Sequence, residues 1–255
     1  MGNSFTKNIL KTIVYVFLFT FVCFVAYFLN AFFGNPVSKA LVKGSAEKYI
    51  NEHYSELDLE KDDIGYDFKA GNYYILLQDK NSKDTYFYLY FDSLGRYKSD
   101  TKDSVWFNTW SRFSDELNKY GKDIEKEYKT PYEISLRIID NDYKEELKLK
   151  IDQEVDFNDF PFSIDAGAYG FAENPNYDET LKILKNLQSI MDKTPLKVAK
   201  YHIVLIPEKD RVKDSKEAQS WKNALTIHDI PADFLRTADE QDLMEYHKKM
   251  DEYSK

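Results

Sequence analysis

His202 falls inside the apolar run Val198 to Ile206, and His228 stands beside Asp229 just ahead of Pro231. Imidazole is the side chain that most readily carries a proton or a metal ion near neutral pH. Brought together, His202, His228 and Asp229 would make a general-base or metal centre, the equipment of a hydrolase or metal-dependent enzyme. Their spacing gives no such instruction. The other histidines are His53 and His247, and no HExxH or His-x-His pair occurs. Scattered structural or surface histidine is the reading that the spacing favours, with no metal and no cofactor expected.

Tyr86, Tyr88 and Tyr90 alternate with Phe87, Leu89 and Phe91. On a strand this places the tyrosines on one face and a wholly apolar row on the other. A tyrosine offers flat apolar area with a polar tip, so the row reads as a ligand or partner platform or as a face packed against another element. Asp152, Glu154 and Asp156 alternate in the same way, with Lys148 and Lys150 continuing the row, which suits a solvated strand face. Asp140-Asn141-Asp142 begins like a calcium loop, but the sixth position, which needs glycine, is Glu145. Neither Ser93-Leu94-Gly95 nor Ala166-Gly167-Ala168 has the form of a nucleophile elbow or a phosphate loop. Trp106, Trp110, Phe113 and Leu117 recur at helical spacing and read as core.

The elements that would position these residues follow from periodicity. Asn35-Pro36 is a helix start, with apolar positions running to about Tyr54. Period-two segments follow at Ile64 to Phe68, Tyr73 to Gln78 and Thr85 to Asp92, and a helix begins near Asp103. The first unit is therefore helix, three antiparallel strands, helix, over residues 34–129. Thr130-Pro131 marks the boundary to a second unit, residues 130–255. There Tyr132 to Ile138 and Leu147 to Phe157 read as a hairpin, with a third strand near Ser163 to Phe171. A helix from Asn174-Pro175 to Met191, a buried strand at Val198 to Ile206, a helix at Ser215 to Ala224, an extended Leu225 to Ile230 and a final helix capped by Thr237 complete it. The fold class is α+β, two small units with antiparallel sheets behind an N-terminal transmembrane helix.

That helix is Thr12 to Phe33, which carries no charge and includes Phe21 and Cys23, the single cysteine of the chain. Its 22 residues span about 33 Å, matching a hydrocarbon core of about 30 Å. A cleaved signal has a shorter apolar region and a small-x-small site, whereas Leu29 occupies the first slot here. An uncleaved anchor after a short tail, residues 1–11, is the expectation. The lysines on its two sides, Lys7 and Lys11 against Lys39, Lys43 and Lys48, leave orientation undecided by charge alone. A short tail left inside and a C-terminal mass outside is the expected arrangement. Apart from Lys7 and Lys11, 33 of the 35 basic residues face 44 acidic ones, a surface that repels nucleic acid. With Cys23 inside the run, the remainder has neither a disulfide framework nor a thiolate nucleophile.

The segments GNPVSKALVKGSAEKYINEHY, GYDFKAGNYYILLQD and SKDTYFYLYFDSLGRY resemble the uncharacterised YfjL-like family of low-GC Gram-positive bacteria. Helix plus hairpin ending at Asp92 and Gly95 is more loosely similar to PepSY-type modules. The resemblance implies a single-pass membrane protein with an extracytoplasmic α+β domain, and it transfers no catalytic residue. The expected function is a non-catalytic binding or regulatory module of the cell envelope, acting on another envelope protein. An envelope enzyme built on His202 and His228 is one alternative, and a structural or assembly component is another.

Overall fold

An uncharged run as long as Thr12–Phe33 can satisfy its backbone outside water only as a helix. Helix α1 spans Gly2–Phe33. In the computed structural model, which describes residues 2–139, 149–213 and 215–253, no part of the apolar window of this helix is buried against the protein. The helix is long and apolar enough to cross a membrane. It ends at Gly34, whose φ of +67° is the left-handed conformation of a helix stop and whose N–H donates to the Asn30 carbonyl (3.0 Å). Asn35 then caps helix α2, Pro36–His53, its side chain accepting the Ser38 N–H at 2.8 Å.

Every fourth residue of α2 (Ser38, Val42, Ala46, Ile50) is buried. These residues pack on one face of an antiparallel sheet: β1 (Leu59–Lys61), β2 (Gly65–Asp67), β3 (Asn72–Asp79), β4 (Tyr86–Phe91) and β5 (Tyr97–Asp100). The order is β1-β3-β4-β5, with β2 also paired to β3. Tyr73, Ile75 and Leu77 of β3 and Phe87, Leu89 and Phe91 of β4 supply the buried side. Each such large side chain contributes about 1.5–3 kcal/mol on burial. The three strands expected from the sequence are present; β1 and β5, of 3 and 4 residues, are too short to show an alternation.

Helix α3, Trp106–Tyr128, is not the closing helix of this first unit as expected. The chain divides into Met1–Asn108 and Thr109–Lys255, so the boundary moves from 129/130 to the start of α3. The reason lies in its stripe: Phe113, Leu117 and Ile124 are buried in the second core beside Ile134 and Leu136. Gly121 permits the approach, since a Cβ there would lie 3.1 Å from Leu136 Cγ.

The second sheet is ordered β6 (Glu133–Ile138), β7 (Ile164–Ala172), β8 (Val198–Pro207), β9 (Leu225–Pro231). It is mixed: β6–β7 and β8–β9 are antiparallel, and β7–β8 is parallel. A parallel neighbour needs a crossover, supplied by helix α4, Tyr177–Met191, which packs on β7 and β8. Helices α5 (Ala232–Thr237) and α6 (Glu240–Tyr253) pack on α4.

Three local expectations are corrected. The partner of β6 is β7 and not Leu147 to Phe157. Among the described residues of that stretch, Asp152 has φ +63°, a single 3-10 turn spans Phe157–Asp159, and Leu149 is buried with Phe160 and Phe162 as a plug of the core. Asp152, Glu154 and Asp156 therefore share no strand face. The Asp140-Asn141-Asp142 turn, Leu147 and Lys148 lie outside the described residues. Ser215 to Ala224 is not helical: the Ser215 and Ser220 hydroxyls accept the N–H groups of Glu217 and Lys222, turns that compete with a helix. Thr237 ends α5, and the cap of α6 is Asp239, whose Oδ1 accepts the Asp242 N–H (2.9 Å) while its own N–H donates to Asp242 Oδ2 (3.0 Å).

Candidate functional site

In the first unit the alternation of β4 holds: Phe87, Leu89 and Phe91 are buried, while Tyr86, Tyr88 and Tyr90 are half-buried on the opposite face. The register sets Tyr74 of β3 opposite Tyr90 and Leu76 opposite Tyr88. Tyr74 meets the Tyr88 ring edge-on at 5.8 Å and the Tyr90 ring at 6.4 Å, and Tyr88 and Tyr90 are 6.1 Å apart. Such offset and edge-on pairs are the favoured aromatic geometry. The Tyr74 ring covers Gly65, where a Cβ would fall 2.2 Å from the ring, so glycine is obligatory there.

These rings surround an open hollow of ≈ 410 Å³ lined by Tyr66, Asp67, Phe68, Tyr74, Tyr88 and Tyr90. Tyr86 stands outside it, at the end of β4 where Asn108 donates to the Asp84 and Tyr86 carbonyls (both 2.8 Å). Two of the three expected tyrosines thus belong to the site. Tyr66, Asp67, Phe68 and Tyr74 were missed; the signal for Tyr74 was its place in the alternating β3. Burial raises the Tyr90 phenol above its ordinary value, with Tyr88 and Asp67 adding to the effect, so it stays a neutral donor. The carboxylate of Asp67 accepts the N–H groups of Lys69 and Ala70 through Oδ1.

The second unit brings together residues that no motif announced. Ser135 and Arg137 of β6, Asp165 and Gly167 of β7 and His202 of β8 share one sheet face. His202 Nδ1 lies 2.7 Å from Asp165 Oδ1, and Nε2 lies 3.2 Å from Ser135 Oγ. With Nδ1–H donating to the carboxylate, Nε2 is left to accept the serine hydroxyl. Arg137 donates to Asp165 Oδ2 at 2.6 Å. Burial of Asp165 works to raise its pKa, but hydrogen bonds and charge from His202 and Arg137 outweigh it and hold the carboxyl below its usual range. The ring lies against Gly167, where a Cβ would be 2.0 Å from Nε2.

His228 converges on this group, its ring centroid 6.2 Å from that of His202. Asp229 does not: its φ is +55° and its Oδ1 accepts the Lys200 ammonium at 2.7 Å. Among the described residues, no three His, Cys, Asp or Glu side chains form a group that could hold a metal ion. Sequence reading missed Ser135 and Asp165; the one available signal was a carboxylate inside the apolar Ile164–Ala172 segment.

Residues 9–98 match the family model described as YfjL-like, N-terminal domain. The first unit carries a YfjL-like N-terminal domain. The match begins within α1 and ends in β5, so the apolar helix and the tyrosine face both belong to the YfjL-like segment, whereas α3 and the His202 group lie beyond it. No curated protein and no solved structure matches the chain.

Proposed function

We propose that this is a single-pass, membrane-anchored binding module of the cell envelope, whose YfjL-like domain holds a basic peptide segment of another envelope protein in the tyrosine hollow. The observation that carries the reading is the hollow itself. Aromatic rings from β3 and β4 line an open space beside the Asp67 carboxylate, on the sheet face opposite the one closed by α2. Ring faces beside a carboxylate suit a lysine or arginine side chain, each cation–π contact contributing about 0.5–2 kcal/mol. An acidic chain of net charge −9 favours the same partner. The α1 helix anchors it, with the C-terminal mass outside and no catalysis required.

A photo-crosslinking residue in place of Tyr90 in the full chain tests this in native membranes. One discrete adduct, lost on Tyr88→Ala and weakened on Asp67→Asn, is the expected result. Adducts that survive both substitutions would remove the hollow as the binding site. Protease treatment of intact protoplasts carrying a C-terminal tag tests the orientation: digestion is expected, and protection sinks the envelope assignment.

A second reading is favoured by the Ser135–His202–Asp165 distances, which place a hydroxyl, a base and an orienting carboxylate in the sequence needed for acyl transfer. Ser135 would attack, His202 would take its proton, and Asp165 would hold the imidazole. Ser135 sits in mid-strand and not on a sharp strand-to-helix turn, which makes this the lesser reading. A fluorophosphonate probe that labels the wild type but not Ser135→Ala supports it; an unlabelled wild type ends it.

A further inference from the structure

The register of the first sheet places two hairpin tips at one end. Tyr73 pairs with Phe91, so the β2–β3 turn carrying Phe68 and the β4–β5 turn carrying Leu94 emerge side by side. The same end holds the junction of α1 and α2. The Asn35 N–H donates to Tyr73 Oη at 2.9 Å, and the Phe32 ring of α1 lies 5.6 Å from that of Phe68. A Cβ on Gly95 would fall 3.0 Å from the Leu41 carbonyl and 2.8 Å from Ser45 Oγ, which sets the Leu94 turn against the second turn of α2.

Four large apolar residues are exposed here: Val37 (70%), Leu41 (46%), Phe68 (52%) and Leu94 (62%). Val37 and Leu41 are one helical turn apart on α2, off its buried stripe. Covalent reach keeps Val37 close to the end of α1. Val37 follows Phe33, the last residue of α1, by four positions and lies within about 14 Å of it. Lys69 follows Phe68 in its turn, whereas Lys39 and Lys43 stand across α2 from Val37 and Leu41, on a groove they share with Asp62 and Asp63. Apolar tips with a lysine that reaches past them suit a surface seated at the headgroup level.

We propose that this end of the YfjL-like domain docks on the bilayer, with Val37, Leu41, Phe68 and Leu94 in the boundary between headgroups and acyl chains and Lys69 at the lipid phosphates. The proposal rests on α1 being a membrane span and adds a second, peripheral contact to it. The domain is thereby held against the surface and not tethered above it, and the Phe68 rim of the hollow opens at the level of the lipid.

The test uses the full chain with Cys23→Ser, reconstituted in nanodiscs that contain lipid-attached nitroxide quenchers. Single cysteines at Val37, Leu41, Phe68 and Leu94 carry an environment-sensitive dye. Asn81→Cys, in the β3–β4 turn at the other end of the sheet, is the water control, and Phe21→Cys is the membrane control. Melting curves matched to the parent establish that each variant is folded, and four independent positions guard against the loss of one. Quenching at the four sites at least about twofold above that at Asn81 is expected. If the four sites behave like Asn81 while Phe21 is quenched, docking is overturned and the anchor stands. If Phe21 also behaves like Asn81, both fall. Equal quenching at Asn81 and the four sites overturns docking by this end.

Discussion

Gly167 and His202 are a pair in which one residue exists to make room for the other. A methyl at 167 would overlap the imidazole, so Gly167→Ala must expel His202 from between Ser135 and Asp165 or shift the strand. The expected cost is about 1–3 kcal/mol in urea denaturation, the range for overpacking a buried site. Asp165 gives a pH test. Its folded pKa is depressed below the ordinary carboxylate value, so its contribution is complete above the unfolded value and disappears as pH falls through the depressed one. Wild-type protein is therefore expected to lose more stability than Asp165→Asn between about pH 5 and pH 3. An equal loss in both would show that the Asp165–His202–Arg137 contacts contribute nothing net. Neither Ser135 nor Asp165 was legible as a site, because the partners lie 28 to 67 positions apart and meet only through strand pairing. The tyrosine row was legible because its period of two is a local property; its companion Phe68 was not, since it reaches the hollow through the β2–β3 turn, where Gly71 has φ +66°.

At the scale of elements, α3 decides where the second unit begins. Thr109, Phe113, Leu117, Gly121 and Ile124 form its buried stripe. Removing them from the second core would expose Ile134 and Leu136. A fragment of residues 109–255 is expected to melt cooperatively, and one of residues 130–255 is expected to lack a cooperative transition. Leu117→Ala in the full chain is expected to cost about 2–5 kcal/mol. If the shorter fragment melts normally, the assignment of α3 to the second core is wrong. The helical period of α3 was plain in the sequence, but period says only that a stripe is apolar and not which sheet it covers. The parallel pairing of β7 with β8 was hidden for the same reason: a crossover is a long-range arrangement. The apparent strand near Val155 failed because an apolar alternation can also plug a core from a loop, as Leu149, Phe160 and Phe162 do.

For the molecule as a whole, the N-terminal helix is the one feature long and apolar enough to cross a membrane among the described residues. Deleting residues 1–33 is expected to move the protein from the membrane pellet to the soluble fraction without lowering the melting temperature of the second unit. Pelleting of the truncated chain would show that α1 is not the main attachment. The joint between α1 and α2 then gains a further meaning. Gly34 is locked at φ +67° against the Tyr73 hydroxyl, and Asn35 is bonded to Asn30, Ser38 and Tyr73, so the connection is a bracket and not a hinge. A helix of 32 residues is a lever about 48 Å long. Bilayers that differ in thickness by a few ångström tilt such helices by different angles, and a rigid bracket passes the tilt to the sheet. Under the proposed docking, dye at Phe68 and at Leu94 should then change depth between thin and thick nanodiscs, because the bracket carries the tilt of α1 to the rim of the tyrosine hollow.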